Sequence, residues 1–258
     1  MFWVGGRCTG LRANAVRVAV VSDIHGNRTA LEAVIADLRE AAPDLVLLGG
    51  DVADSGSSPV EVLDRVRALG WPGVMGNTDE MLVRPETLES FAAASEALAS
   101  LWDAVREIAA ATRSALGEQR LAWLRALPIE LVREDAGLAL VHALPGDCWR
   151  APVADASEAY LEAMYGVLGQ PTVVFGHTHL PGIRRLSGTV RTLINTGSVG
   201  LPFDGDARAS YLLIENRVAA IRRVAYDVEA ELALLAQCAL PGAAWTAKML
   251  RARGPAMP

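Results

Sequence analysis

The chain has 258 residues and a formal net charge of −6 at pH 7, a length sufficient for one large domain or two small ones. The acidic balance disfavours a nucleic-acid partner, whose binding surface would usually carry clustered basic residues. The three cysteines lack paired spacing and no apolar run approaches the ~18 residues of a membrane span, so we expect a cytoplasmic protein without disulfides, a cysteine-based zinc site or a membrane anchor.

The chain opens with a glycine-rich, irregular stretch that lacks the long apolar segment of a secretory signal. We therefore predict an N-terminal extension over residues 1–15, followed by a single domain over residues 16–258.

The first part of this domain alternates apolar runs with segments of helical periodicity. Short β-branched runs at 16–22, 45–48 and 73–75 predict buried strands, and the spacing of apolar residues at 30–40 and 60–69 predicts helices between them. This βαβαβ order is typical of a parallel sheet covered by helices.

An insertion rich in Ala, Leu and Glu then follows over residues 80–128. It predicts two or three helices, broken near Pro85, Gly117 and Pro128. These helices could form a cap beside a site or pack against the sheet, and packing is the simpler arrangement.

The second half of the chain returns to strands. We predict strands at 130–133, 138–142 and 172–175, with a helix over 157–168. Several short strands follow between residues 183 and 226, and two helices end the chain. The pattern favours two sheets with helices outside both.

Side chains with ligand chemistry stand directly after the predicted strands, each beside or near a glycine. They are Asp23, Asp51, Asn77, His142 and His177. Because the carboxyl ends of strands meet at one edge of an α/β sheet, residues far apart in sequence can converge there. Glycine allows the sharp turns that such a site needs.

All four histidines of the chain stand at such positions: His25, His142, His177 and His179. With Asp23, Asp51 and Asn77 they provide seven donors, enough for two divalent cations bridged by one carboxylate, for which Asp51 is the natural candidate. Mixed imidazole and oxygen donors suit manganese, iron, zinc, cobalt or nickel rather than calcium.

The segments SDIHGN, GGDV, GNTD, LVHAL and FGHTH occur in this order between about residues 22 and 179. As a set they resemble the motifs of the calcineurin-like metallophosphoesterase superfamily, most closely its compact bacterial and archaeal phosphodiesterase branch. The later segment INTGSVGLPFDGDARASY also resembles that branch, so the similarity covers nearly all of residues 16–226. The resemblance implies an α/β fold, a four-layer αββα sandwich with two mixed sheets flanked by helices.

The resemblance also implies two divalent metal ions per chain, with manganese expected first. One ion would bind Asp23, His25, Asp51 and His179, and the other would bind Asp51, Asn77, His142 and His177. The implied activity is hydrolysis of a phosphodiester, or a phosphomonoester, by attack of a hydroxide that bridges the metals.

Further residues are assigned roles by position. Asp51, Asn77 and Asp79 are expected to act in catalysis, with Asp79 orienting an imidazole ligand, an assignment from adjacency alone. The expected contacts to substrate phosphate are Asn27, Arg28, Thr78 and Arg208. Asp54 is expected in a solvated loop, Cys148 as a small buried hydrophobe, and Asn195 and Ser198 as residues that shape a turn. The six tryptophans are expected as core or interface anchors.

Thr78 departs from the superfamily pattern, since many members have a histidine there that is held to protonate the leaving oxygen. A threonine hydroxyl cannot donate a proton usefully near neutral pH. We therefore expect aryl phosphate esters to react much faster than alkyl esters.

The sequence leaves alternatives of other classes. The same fold serves as a catalytically weak scaffold for protein interaction in the retromer subunit that resembles this branch. A nuclease of the same superfamily is a further candidate, disfavoured by the acidic balance. The complete set of ligand types favours the enzyme. The sequence leaves open the substrate and whether the chain forms a homo-oligomer.

Overall fold

The computed structural model describes residues 16–94 and 98–258, and the predicted extension over residues 1–15 lies outside this range. The strands in chain order are β1 (Val18–Val21), β2 (Leu45–Leu48), β3 (Glu130–Arg133), β4 (Leu138–Val141), β5 (Thr172–Phe175), β6 (Gly182–Arg185), β7 (Thr192–Asn195), β8 (Ala209–Glu215) and β9 (Val218–Val224). The helices are α1 (Arg28–Ala41), α2 (Pro59–Leu69), α3 (Asn77–Val83), α4 (Pro85–Ala92), α5 (Ala99–Arg125), α6 (Glu158–Tyr165), α7 (Val228–Gln237) and α8 (Ala243–Ala252).

The strands form two mixed sheets. The first has the order β2-β1-β8-β9, with β1 parallel to β2 and antiparallel to β8. The second has the order β3-β4-β5-β7-β6, in which β4, β5 and β7 run parallel and the two edge strands run antiparallel to their neighbours.

Successive side chains along β1 and β4 point to opposite faces of their sheets and so pack into different layers. In β1, Val18 and Val20 pack into a cluster that also holds Leu138 and Leu140 of β4, so this cluster lies between the two sheets. The intervening residues of β1 face a second cluster with α1, α2 and α5, and those of β4 face a third cluster with α6. The predicted four-layer sandwich is therefore confirmed.

The third predicted strand of the first half does not form. Residues 73–75 make a single bridge between Leu48 and Gly73, and the N–H of Val74 donates to the carbonyl of Leu48 at 2.9 Å. The next amide, that of Met75, donates instead to the carbonyl of Pro128 at 2.8 Å, which ends the pairing with β2.

The insertion is helical, as predicted. It contains α3, α4 and α5, and α5 is kinked where Gly117 adopts a left-handed φ of 68°. The middle and end of α5 pack into the core through Leu116, Leu121 and Leu124. Among the described residues, no helix is both long enough and apolar enough to cross a membrane.

Candidate metal centre

Four strands end beside predicted ligands. Asp23 follows β1, Asp51 follows β2, His142 follows β4 and His177 follows β5, each within three residues of the last strand residue. The ends of both sheets thus bring together side chains that are far apart in the sequence. All seven predicted ligands contact at least one other member of the set through side-chain atoms.

The backbone at five of these ligands is left-handed. Values of φ between 48° and 64° occur at Asp23, His25, Asp51, His177 and His179. Non-glycine residues rarely adopt this conformation, which costs on the order of 1–3 kcal/mol at each position. Such strain persists only where the surrounding structure enforces it, and its concentration at these side chains is typical of a functional site.

Two glycines allow the close packing of the ligand loops. A Cβ atom on Gly176 would lie 2.3 Å from Oδ2 of Asp23, and one on Gly76 would lie 2.0 Å from Oδ1 of Asp51. Any larger residue at either position would displace a predicted ligand.

The first donor group consists of Asp23, His25 and His179. Nε2 of His25 lies 3.1 Å from Nε2 of His179, and Nε2 of His179 lies 3.3 Å from Oδ1 of Asp23. All three side chains are buried, and their donor atoms lie within 4.8 Å of one another.

The second donor group consists of Asn77, His142 and His177. Oδ1 of Asn77 lies 3.1 Å from Nε2 of His142 and 2.9 Å from Nδ1 of His177. His177 therefore faces this group with Nδ1, whereas His25, His142 and His179 face the centre with Nε2.

Asp51 lies between the two groups. Its Oδ2 is 3.5 Å from Nε2 of His25 and 3.5 Å from Nε2 of His142. Its Oδ1 accepts a hydrogen bond from the backbone N–H of Thr78 at 2.9 Å. One carboxylate oxygen is thus fixed by the backbone while the other faces both groups.

The spacing of the donors suits a divalent metal. Two ligands that each lie about 2.1 Å from one ion and about 90° apart are separated by about 3.0 Å. The shortest donor distances within the two groups, 2.9–3.3 Å, are close to this separation. Imidazole nitrogens and carboxylate or amide oxygens are donors that first-row transition metals accept.

Backbone carbonyls orient three of the imidazoles. The Nδ1 atoms of His25, His142 and His179 contact the carbonyls of Asp54 (3.3 Å), Gly49 (2.8 Å) and Leu201 (2.6 Å), respectively. An Nδ1–H that donates to a carbonyl leaves Nε2 with a free lone pair, the form that binds a metal.

The expectation that Asp79 orients an imidazole was wrong. Its carboxylate accepts hydrogen bonds from the backbone N–H groups of Asp51 (2.8 Å), Val52 (3.0 Å) and Gly76 (3.0 Å). Burial and the nearby charge of Asp51 raise the pKa of Asp79 to about 7, while the amides of Val52 and Gly76 oppose this rise. Asp79 therefore fixes the loop that carries Asp51.

The carboxylates and imidazoles of the centre shift one another's pKa. Burial alone would raise the pKa of Asp51, but His142 and His25 lower it overall. Burial would lower the pKa of His142, but Asp51 raises it to about 10. Burial and the neighbouring His142 lower the pKa of His177 to about 4. The buried carboxylates thus stabilise positive charge at His142, as they would stabilise a bound cation.

The predicted substrate contacts lie in different surroundings. Asn27 caps α1, accepting from the N–H of Ala30 at 2.9 Å and donating to the carbonyl of Gly200 at 3.0 Å, so its side chain serves the fold. Arg28 is exposed at the start of α1. Arg208 forms an exposed ion pair with Asp206 at 2.7 Å and does not line the cavity beside the centre.

Thr78 does border the centre. Its Oγ1 atom is buried without a hydrogen-bond partner, and the residue lines a cavity that also reaches His25, Asn77 and His179. Of the predicted substrate contacts, Thr78 is the one placed where a bound phosphate group could meet it.

The structure identifies residues whose roles the sequence did not predict. Asp54 is buried rather than solvated, its Oδ1 lacks a partner, and burial raises its pKa to about 7. Ser198 donates to the carbonyl of Asp23 at 2.7 Å, and Asn195 donates to the carbonyl of Gly176 at 2.7 Å, so both hold ligand loops. Cys148 is buried, as expected, and donates to Glu80.

The cavity beside the centre has a volume of about 450 Å³. Three tryptophans from separate parts of the chain line it: Trp102, Trp149 and Trp245. The sequence predicts core or interface anchors for the tryptophans, and no periodicity in it indicates that these three share one cavity.

Comparison with known proteins agrees with this architecture. A sequence profile described as "Calcineurin-like phosphoesterase superfamily domain" matches residues 16–217. An uncharacterised protein of Methanocaldococcus jannaschii is 29% identical over 231 residues, covering 82% of this chain and 88% of that protein.

Two solved structures align with 93% of this chain, and the alignment includes 100% of each of their chains. A metallophosphoesterase from Sphaerobacter thermophilus has a TM-score of 0.75 and 26% identity. A hypothetical protein from Pyrococcus horikoshii has a TM-score of 0.78 and 21% identity, a likeness of fold alone.

Proposed function

The chain belongs to the calcineurin-like phosphoesterase superfamily, and from that premise we propose that it hydrolyses phosphoric esters with two divalent metal ions. The observation that carries this proposal is the position of Asp51 Oδ2, 3.5 Å from an imidazole nitrogen of each donor group. A carboxylate placed in this way can belong to two metal sites at once.

The proposed ligand sets follow the two donor groups. Asp23, His25 and His179 would hold one ion, and Asn77, His142 and His177 would hold the other, with Asp51 shared between them. When bound, the ions would generate a nucleophile from water and neutralise charge on the phosphate. Manganese is the proposed ion, with iron, zinc, nickel and cobalt suited to the same donors.

The residues of the chain prepare the site for this chemistry. The carbonyls of Asp54, Gly49 and Leu201 hold three imidazoles in one orientation, so the donors need little rearrangement when a metal or substrate arrives. The backbone N–H of Thr78 fixes Asp51, and the Thr78 hydroxyl is available to donate to a phosphate oxygen.

The test is a substrate panel combined with metal reconstitution. Chelated protein is reloaded with manganese, nickel, cobalt, zinc or iron and assayed on bis(4-nitrophenyl) phosphate and 4-nitrophenyl phosphate, while metal content is measured in parallel. We expect about two ions per chain and turnover of at least one ester. Protein that binds metal but turns over neither ester with any ion would contradict the proposal and favour a scaffold.

A further inference from the structure

The cavity beside the donor groups is bounded by two elements outside the sandwich. Leu101, Trp102, Val105 and Ile108 of α5 form one wall, and residues of α8 and of the segment after it form another. The α8 wall is held against the loop that follows Asp51, because the Thr246 hydroxyl in α8 donates to the carbonyl of Ser55 at 2.6 Å. A volume of about 450 Å³ lies within the range of about 300–1,000 Å³ that is usual for pockets that bind small molecules.

The lining is apolar and aromatic. Besides the three tryptophans, it includes Met81, Leu201, Phe203 and Met249. Of the described residues that border the cavity, none is arginine or lysine. Away from the proposed metal ligands, a second phosphate or a carboxylate would find no basic side chain in this cavity, whereas a neutral ring would find aromatic side chains on several sides.

The cavity is continuous with the metal centre. The polar residues of its lining are His25, Asp54, Ser55, Asn77, Thr78 and His179. The Phe203 ring lies against the His179 ring, with centroids 4.4 Å apart. Thr78, whose buried hydroxyl has no hydrogen-bond partner, borders both the donor groups and this cavity. A phosphoester with its phosphorus at the donors could therefore extend its organic group among the tryptophans.

We propose that this cavity binds an uncharged aromatic group of the substrate, so that the protein acts on phosphoesters of aromatic character in preference to small alkyl esters or polyphosphates. This inference rests on the proposed function. Burial of the ring would supply binding energy, and the donors would hold the phosphate at one end of the ring.

The test separates binding in the cavity from leaving-group chemistry. Phenylphosphonate and methylphosphonate carry the same headgroup and have no group to release, so their affinities differ only through the organic group. Binding of each to the metal-loaded protein is measured by calorimetry, with inorganic phosphate as a reference. We expect phenylphosphonate to bind on the order of 10- to 100-fold more tightly than methylphosphonate.

A filling variant tests the location. Val105→Trp adds a large side chain to the α5 wall, and Val167→Trp, at a position that is 75% exposed, is the matched control. The first should abolish the preference for phenylphosphonate while methylphosphonate affinity stays within about twofold, and the second should change neither. Circular dichroism checks that both variants fold, and Trp245→Leu provides a second cavity variant expected to weaken phenylphosphonate alone.

The outcomes distinguish the two proposals. Equal affinity for the two phosphonates in a protein that hydrolyses aryl esters would overturn the cavity assignment and leave the proposed function standing. A phenylphosphonate preference that survives both cavity variants would also overturn it. Failure of the metal-loaded protein to bind either phosphonate would overturn the cavity assignment, and the proposed function would fall with it only if neither nitrophenyl ester is turned over.

Discussion

The Asp79 carboxylate accepts a hydrogen bond from the backbone N–H of Asp51 at 2.8 Å. The same carboxylate also accepts the N–H groups of Val52 and Gly76, so one buried side chain fixes three amides beside the predicted bridging ligand. Asp79 therefore holds Asp51 in position through backbone amides. In the described part of the chain, its carboxylate forms no hydrogen bond with the side chain of a predicted metal ligand.

Removal of this support should weaken both the fold and the metal centre. Asp79→Ala leaves three amides without an acceptor, and we expect the free energy of unfolding to fall by about 3 kcal/mol. Metal affinity should fall on the order of 10- to 100-fold, because the Asp51 loop is no longer fixed. Urea unfolding and metal titration measure the two effects. The exposed variant Asp155→Ala is the control, and equal behaviour of the two variants would count against this role.

The shared carboxylate should be indispensable for activity. Asp51→Asn keeps the shape of the side chain but removes the charge that faces both donor groups, so we expect the rate of ester hydrolysis to fall on the order of 1,000-fold or more. Bound metal should fall from about two ions per chain. Steady-state kinetics with elemental analysis measures both changes. Near-normal turnover by the metal-loaded variant would rule out a bridging role.

Position 176, which lies close to the Asp23 carboxylate, should not tolerate even the methyl side chain of alanine. In Gly176→Ala the new Cβ would meet Oδ2 of Asp23 at 2.3 Å, so the carboxylate must move. We expect metal affinity to fall on the order of 10-fold or more, together with a loss of about 1–3 kcal/mol in stability. Gly182→Ala, where the added atom meets nothing within 4 Å, is the matched control. Unchanged metal binding in Gly176→Ala would show that Asp23 is not a ligand.

The sequence predicted the layers and the place of the site because both follow from local rules. Buried β-branched runs indicated the strands, and the ligands could be expected to meet because strand ends converge. Residues 73–75 failed as a strand because the amide of Met75 pairs with Pro128, a partner that no local pattern reveals.

The sequence around Asp79 contains a signal that predicts its hydrogen bonds with backbone amides. It is the third residue of α3, and its carboxylate reaches back to the N–H of Gly76 in the manner of a capping box. That pattern predicts contact with backbone amides rather than with an imidazole. By contrast, the grouping of Trp102, Trp149 and Trp245 depends on the packing of α5 near α8, which sequence periodicity does not specify.

Thr78, beside the metal centre, predicts that the rate of ester hydrolysis depends strongly on the leaving group. For a series of substituted phenyl phosphates, we expect the rate to fall steeply as the pKa of the released phenol rises, because no imidazole stands at position 78. Thr78→His should flatten this dependence, since general acid catalysis contributes about 10²–10⁴-fold and most to the poorest leaving groups. Thr78→Val, which lacks the hydroxyl, should keep the steep slope. A flat dependence in the wild-type protein would contradict this expectation.

Asp37 in α1 predicts an acid limit of stability that does not involve the metal centre. Burial alone would raise its pKa, but hydrogen bonds from Arg222 and Tyr211 lower it below its ordinary value of 3.8. A carboxylate with a lowered pKa stabilises the fold above its unfolded value and loses that contribution as pH falls through the folded value. Asp37→Asn should therefore reduce the free energy of unfolding by about 1 kcal/mol at pH 7.

The deficit in the free energy of unfolding should remain constant down to about pH 5. It should shrink as the pH falls below about 4, because the wild-type carboxylate is then protonated and, like the amide, carries no charge. Urea unfolding of both proteins at pH 7, 5, 4 and 3 measures the difference. Asp103→Asn, at an exposed ion pair with Arg106, should show little deficit at any pH. A deficit for Asp37→Asn that stayed equal from pH 7 to pH 3 would mean that packing rather than charge holds α1 against β8 and β9.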